Sequence, residues 1–392
     1  MLEDEILQYI EDSKEEAYQL LLTLARIPAP SNHEEERAAF CFRWLEEQGA
    51  KGVRMDQAQN VIYPVDVRED GAVEVFMAHM DVVFPDKTEL PLKVDRDRIY
   101  CPGAGDDTAC LVCLLMAAKF IAGHIGTPEW RKLRGPEAPG LLLVCNTGEE
   151  GLGNLRGVRS ICAAYGRRME NFCTFDSTLD KITSKAVGSK RFKVTVRTRG
   201  GHSFNDFGQD NAIAKLAGIV ERLYQVQVPE DARTTYNVGM ISGGTSVNTI
   251  AQQAEMLYEF RSERKENLDY MERQFLSALR LAEEGETRIE YEVIGVRPCE
   301  GDVDPVRKRA LLDRAVEVVS CVTGREPACK SGSTDCNIPL SMGIPSVCVG
   351  CFRGGGAHTR EEYVEIDSLK EGYRTAFGMI LGLKVIRGDG RS

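Results

Sequence analysis

Two of the five histidines in this chain bracket a series of acidic motifs that can hold divalent cations. The series opens at His79-Met80-Asp81 and continues through Gly105-Asp106-Asp107, Glu149-Glu150 and Asp176. It closes far downstream at His358. Imidazole nitrogens and carboxylate oxygens suit zinc, cobalt or manganese. Two such ions about 3.5–4 Å apart repel one another, and a carboxylate with an oxygen for each offsets that repulsion. Hydrolysis at such a pair also needs a group that takes a proton from water and returns it. Glu149-Glu150 offers both: successive side chains at a strand end diverge, so one can ligate while the other faces the water. A glutamate pair alone reads as a solvated turn; the full set of motifs carries the metal reading.

These residues sit where strands would deliver them. Val73–Ala78 is a short apolar run leading into His79, and Leu141–Asn146 is a second, with Thr147–Gly151 as its exit turn. Asn171–Phe175 is a third, delivering Asp176. Continuous apolar runs of this length suit strands covered on both faces, and α/β enzymes place their chemistry at the carboxyl ends of such strands. Thr108–Ile121 reads as an apolar helix just after the paired aspartates. Upstream, the first 26 residues read as a helix stopped by Ile27-Pro28-Ala29-Pro30. His33–Gln48 reads as the next helix, with His33 on its surface and Glu34-Glu35-Glu36 on a solvated face.

At 392 residues the chain is long for one core, so two domains are expected. The apolar share of 43% and charged share of 28% describe an ordinary globular protein. A net charge of -11 argues against nucleic acid as a partner and gives no attraction to an anionic membrane. No run of about 18 or more apolar residues offers a membrane span. The acidic start, Met1-Leu2-Glu3-Asp4, lacks the basic and apolar regions of a secretory signal. The 13 cysteines are odd in number, and most lie in apolar runs, which fits buried thiols in a reducing cytoplasm.

The pattern changes near Gly188. Arg191–Arg199 alternates as a half-exposed strand, followed by Gly200-Gly201-His202-Ser203 and a helix over Asn211–Tyr224. Strands then read over Thr235–Ile241, Ala254–Arg261 and Arg288–Arg297, with a helix at Asn267–Glu284 closed by Gly285. This order predicts a separate α+β unit with an antiparallel sheet and two helices. A helix at Val306–Thr323 and a strand at Ser346–Val349 return the chain to the first domain. The expected division is 1–187 and 301–392 for a catalytic domain, with 188–300 inserted as a lid.

In order and local wording these motifs closely resemble the M20 family of metallopeptidases and amidohydrolases, from about Ile27 to Leu369. The resemblance implies a central mixed, mostly parallel sheet flanked by helices, with a four-stranded antiparallel lid used for dimerisation. It implies two Zn2+, with Co2+ or Mn2+ possible alternatives. His79 and His358 would each bind one ion, with Asp106 bridging them, and Glu150 and Asp176 would each complete one shell. The Asp106-Asp107 peptide would be cis. Glu149 would be the general base, and Asp81 would accept the free N–H of His79 and fix its tautomer.

The lid matches through Gly200-Gly201-His202-Ser203 and Gly243-Gly244-Thr245-Ser246-Val247-Asn248-Thr249-Ile250. His202 would stabilise the oxyanion in the neighbouring subunit's site of a homodimer. Asn248 would hydrogen-bond substrate, and Arg261 would pair with a substrate carboxylate or form a structural salt bridge. Gly332-Ser333-Thr334-Asp335 would shape the pocket. The implied activity is cleavage of an amide bond in a small substrate. A di- or tripeptide comes first, an N-acyl amino acid second, and a non-catalytic binding member third.

Overall fold

Four apolar runs become the parallel centre of one sheet. In the computed structural model, which describes residues 2–283, 285–382 and 386, the strand Val73–His79 lies between Gly140–Asn146 and Met169–Phe175, and Ser346–Val349 follows on the far side. All residues of Val73–His79 and Gly140–Asn146 are buried, as expected for strands covered on both faces. These four run parallel to one another. Val61–Val65 and Lys181–Ala186 flank them and pair antiparallel with Gly140–Asn146 and Ser346–Val349, so the eight-stranded sheet is mixed with a parallel centre.

Helices cover this sheet. Cys110–His124 is apolar on every side and central to the core. Together with the turn Ala104–Ala109 it is long and apolar enough to span a membrane, which the sequence reading had not anticipated. However, 78% of its apolar stretch is buried inside the protein, the pattern of a core helix. The first helix is two, Leu2–Asp12 and Lys14–Arg26, which meet at Ser13, whose hydroxyl bonds back to the Tyr9 carbonyl. The next helix begins at Glu35, two residues later than expected, and His33 is exposed before it. The carboxyl-terminal helix Ser368–Leu381 packs on Cys110–His124 and had no clear sequence signal.

The chain divides into two compact units, residues 1–185 with 301–392, and residues 186–300. The second has an antiparallel sheet in the order Thr234–Gly243, Gln253–Ser262, Gly188–Arg197, Arg288–Arg297. Its helices are Ala212–Tyr224 and Lys265–Ala282. Phe192, Val194 and Val196 alternate inward with Met256, Tyr258 and Phe260, and Phe275 of the second helix fills the space above them. Asn211 caps the first helix by accepting from the N–H groups of Ile213 and Ala214. Glu284, expected to end the second helix, lies outside the described residues; the helix stops at Ala282, and Gly285 follows with a left-handed φ of 60°. All 13 cysteines are free, and the Cys348 and Cys351 thiols are buried.

Candidate metal centre

The Val73–His79 strand ends by placing His79 beside Asn146 of its neighbour, in the buried floor of the first unit. His79 Nδ1 lies 2.9 Å from the Asp81 carbonyl oxygen. A carbonyl only accepts, so the proton sits on Nδ1 and the Nε2 lone pair points away. That Nε2 is buried without a hydrogen bond, 3.2 Å from Asp106 Oδ1. The other Asp106 oxygen, Oδ2, lies 3.1 Å from His358 Nε2, which is also 2.9 Å from Glu150 Oε1. Lone pairs facing carboxylate oxygens this closely require a proton or a cation between them. Ligands of a tetrahedral zinc ion with bonds of about 2.0 Å are about 3.3 Å apart, close to these separations. The residues present therefore fit a pair of divalent cations.

Two sets of donors converge. Asp106, Glu150 and His358 bring ligand atoms within 4.8 Å of one another, as do His79, Asp107 and Asp176. His79 also groups with Glu149 and Glu150. The five expected ligands and Glu149 thus come together from five separate segments. Asp107 is an addition. Its Oδ2 accepts the His79 backbone N–H at 3.0 Å, while Oδ1 is buried and unpartnered. The Asp106-Asp107 peptide is cis.

Charge is concentrated here. Burial would raise the Asp106 carboxyl, but the His358 and His79 imidazoles beside it outweigh that and hold the group well below the usual carboxylate range. Asp106 and Glu150 push the His358 imidazole up to about 11. Burial, joined by the charge on Asp106, lifts Asp176 well above its usual value. Burial also raises Glu150, with the His358 bond opposing it. These are anions in excess of the positive charge the side chains supply, as a cation site requires.

Asp81 departs from its expected role. Its backbone oxygen, not its carboxylate, receives the His79 bond; the nearer carboxylate oxygen is 3.5 Å from Nδ1. The carboxylate instead accepts the backbone N–H groups of Glu149 at 3.0 Å and Glu150 at 2.9 Å, and the Ser31 hydroxyl at 2.7 Å. The geometry has a simple cause: the chain turns at Met80, whose N–H bonds to the Asn146 carbonyl, and this brings the Asp81 carbonyl back over the ring.

Three buried residues that position these motifs escaped the sequence reading. Glu34 is buried, not solvated: it accepts the Gly148 N–H at 2.9 Å and pairs with Arg156. Arg37 is 1% exposed and donates to the carbonyls of Met80, Leu24 and Ile27 and to the Thr108 hydroxyl. Glu362 accepts the N–H groups of Gly103, Gly105 and Asp106 at 2.7, 2.9 and 2.7 Å. Gly105 is required there, since a Cβ would lie 3.0 Å from Glu362 Oε1 and 2.6 Å from the Phe352 ring. The Glu34 signal was a carboxylate just before an apolar helix face, indistinguishable by type from its exposed neighbours Glu35 and Glu36.

In the second unit, His202 and Asn248 are brought together. Gly201–His202 pairs with Thr249–Ile250, and the Ser203 N–H donates to the Asn248 carbonyl. His202 is exposed and its Nδ1 accepts the Phe204 N–H, which leaves Nε2 as the protonated nitrogen of the neutral ring. Arg261 is elsewhere. It lies at the far end of the Gln253–Ser262 strand, with Nε and Nη2 bonded to the two oxygens of Glu259 at 2.9 and 3.1 Å. Of the two readings open for Arg261, the structure shows the salt bridge.

A mixed sheet carrying paired carboxylate–imidazole clusters at the carboxyl ends of its parallel strands defines a scaffold for a two-cation hydrolase. The chain belongs to peptidase family M20/M25/M40, whose model matches residues 75–381. It is 24% identical over 355 residues to the succinyl-diaminopimelate desuccinylase of Corynebacterium glutamicum, covering 89% of this chain and 91% of that one. Among solved structures it resembles a tripeptidase from Staphylococcus aureus (TM-score 0.70, 20% identity, 95% and 98% of the two chains). It also resembles a dinuclear metal-binding M20 peptidase from Bacillus subtilis (TM-score 0.62, 19% identity, 94% and 98%). At these identities the structural likenesses concern the fold.

Proposed function

We propose that this protein is a two-zinc hydrolase that cleaves the peptide bond of a di- or tripeptide, with an N-acyl amino acid as the second candidate substrate. The observation that carries the reading is Asp106, which turns one oxygen to each of two imidazoles. His79, Asp106 and Asp176 would hold one ion, and Asp106, Glu150 and His358 the other; cobalt or manganese would suit the same donors. When bound, such a pair draws charge from the scissile carbonyl and acidifies water.

The chain's own residues do the rest. Glu149, fixed by the Asp81 clamp, takes the proton of the attacking water and passes it to the leaving amine. His202 offers Nε2–H to the oxyanion, supplied by a second subunit in a homodimer built on the inserted unit. Asn248, next to it, hydrogen-bonds the substrate. Free, mostly buried thiols support a cytoplasmic setting. An intact Glu149 disfavours a purely binding role, which needs no base.

Glu149→Gln tests this reading. Metal content should stay at the wild-type level while turnover of a di- and tripeptide panel falls about 10²–10⁴-fold. Full activity in that variant, or no turnover by the zinc-loaded wild type, would remove the proposal.

A further inference from the structure

The opposite ends of the same parallel strands carry a second concentration of charge, of the other sign. A groove of about 700 Å3 opens in the first unit where Met169–Phe175 begins. Arg167 and Arg168 reach it from the turn before the strand, and Arg307 and Arg314 from the helix Pro305–Thr323. Residues seven apart lie about two turns along one helical face, so Arg307 and Arg314 flank Ala310 and Leu311 on the same wall. Along the groove only Asp70 and Glu170 oppose them. With Glu74, which pairs with Arg314 behind the groove, four guanidiniums face three carboxylates, an excess of one positive charge on a chain whose net charge is -11.

Arg168 and Arg307 are held in place by carbonyls, which do not neutralise them. Arg168 Nε donates to the Gly71 carbonyl at 2.7 Å, and its Nη2 donates to the Arg68 carbonyl. Arg307 Nη2 donates to the Glu170 carbonyl at 2.6 Å. Among the described residues, Arg314 alone of the four meets a carboxylate, Glu74 at 3.4 Å, and that oxygen is shared with Asn171. Among the described residues, Arg167 has no acidic partner and is exposed. Bonds to carbonyls orient a guanidinium fork and leave its charge to attract an anion from solution, and such forks match the paired oxygens of phosphate. The volume falls within the range of small-molecule sites.

We propose that this groove binds a phosphate monoester of up to nucleotide size. It lies a full strand length from the metal centre. Seven-residue strands separate Ala72 from His79 and the Arg168 turn from Asp176, about 20 Å. Its ligand is therefore not the molecule being hydrolysed.

Equilibrium dialysis of the metal-loaded protein with adenosine 5′-monophosphate, ribose 5-phosphate, inorganic phosphate and adenosine tests the assignment, at about 0.15 M salt to screen diffuse attraction. The expected result is one saturable phosphate-dependent site per chain with Kd below about 1 mM, and no adenosine binding. The double variant Arg167→Gln/Arg307→Gln, altered only at exposed side chains, should weaken it about tenfold or more, while His358→Ala should not. Tighter binding of the nucleotide than of inorganic phosphate would identify a nucleotide ligand, and equal binding would identify the phosphate group alone. No saturable binding, or binding lost in His358→Ala and kept in the double variant, overturns the proposal.

Discussion

Asp81 Oδ1 accepts the backbone N–H of Glu149 at 3.0 Å, and the second oxygen of the same buried carboxylate accepts that of Glu150. The Asp81 carbonyl meanwhile fixes the proton of His79 on Nδ1. One residue thus sets the tautomer of His79 and anchors the backbone of both glutamates. Burial opposes the Asp81 charge, but His79 and the hydrogen-bond donors outweigh it and keep the carboxyl below its usual range.

Asp81→Asn should disturb the turn more than the ring. The amide keeps one accepting oxygen and sets an NH2 group against the other backbone N–H, while the backbone bond to His79 persists. We expect turnover to fall about 10–100-fold and stability to drop about 1–3 kcal/mol, read by steady-state kinetics and urea unfolding. Wild-type kinetics in this variant would show that the clamp is dispensable.

Arg37 matters for a different reason. Its guanidinium satisfies three buried carbonyls and one hydroxyl, and burial lowers its pKa to about 10, which still leaves it charged at neutral pH. Arg37→Met orphans those acceptors, so guanidinium chloride unfolding should report a loss of about 3 kcal/mol or more. Arg37→Lys keeps the charge without the fork and should lie between the two. A methionine variant as stable as wild type would contradict the role given to this network.

Glu362 cradles the turn that carries Asp106, the proposed bridge. Glu362→Gln replaces one oxygen with an NH2 group facing backbone N–H groups of the Gly103–Asp106 turn. Metal affinity should weaken about 10–100-fold with the fold retained, measured by competition with a chromophoric chelator. Unchanged affinity would mean that the turn is set by other contacts.

Removing metal should expose a pH dependence. His358 rises from 6.5 to about 11 through Asp106 and Glu150, so the metal-free native state holds a proton that the unfolded chain releases. The stability this contributes is complete below about 6.5 and is lost as pH rises toward about 11. The metal-free protein should therefore melt progressively lower between about pH 7 and about pH 10, and zinc addition at neutral pH should release protons. Calorimetry in buffers of differing ionisation enthalpy measures that release; zinc binding without it would contradict a protonated His358.

His79, Glu149-Glu150 and Asp176 were legible as candidate ligands because each follows an apolar run that reads as a buried strand. Asp106 and His358, which follow no such run directly, owed their expected roles to the family resemblance. Glu34, Arg37 and Glu362 were not legible, because their functions depend on burial contributed by distant segments. Glu34 shares its residue type with exposed Glu35, and Glu362 meets the Asp106 turn across more than 250 residues of chain. The role of Asp81 was misjudged for a related reason: a side chain and a backbone oxygen of one residue are equivalent in sequence and distinct in space. Arg261 could not be resolved until Glu259 was seen to occupy its fork.

Elemental analysis of metal per chain after zinc loading and dialysis tests the central claim most directly. With wild type and Glu149→Gln the account predicts two ions, and with Asp106→Ala it predicts loss of both tight sites, since one carboxylate serves each imidazole. Two ions retained in Asp106→Ala, or fewer than two in the wild type, would contradict it.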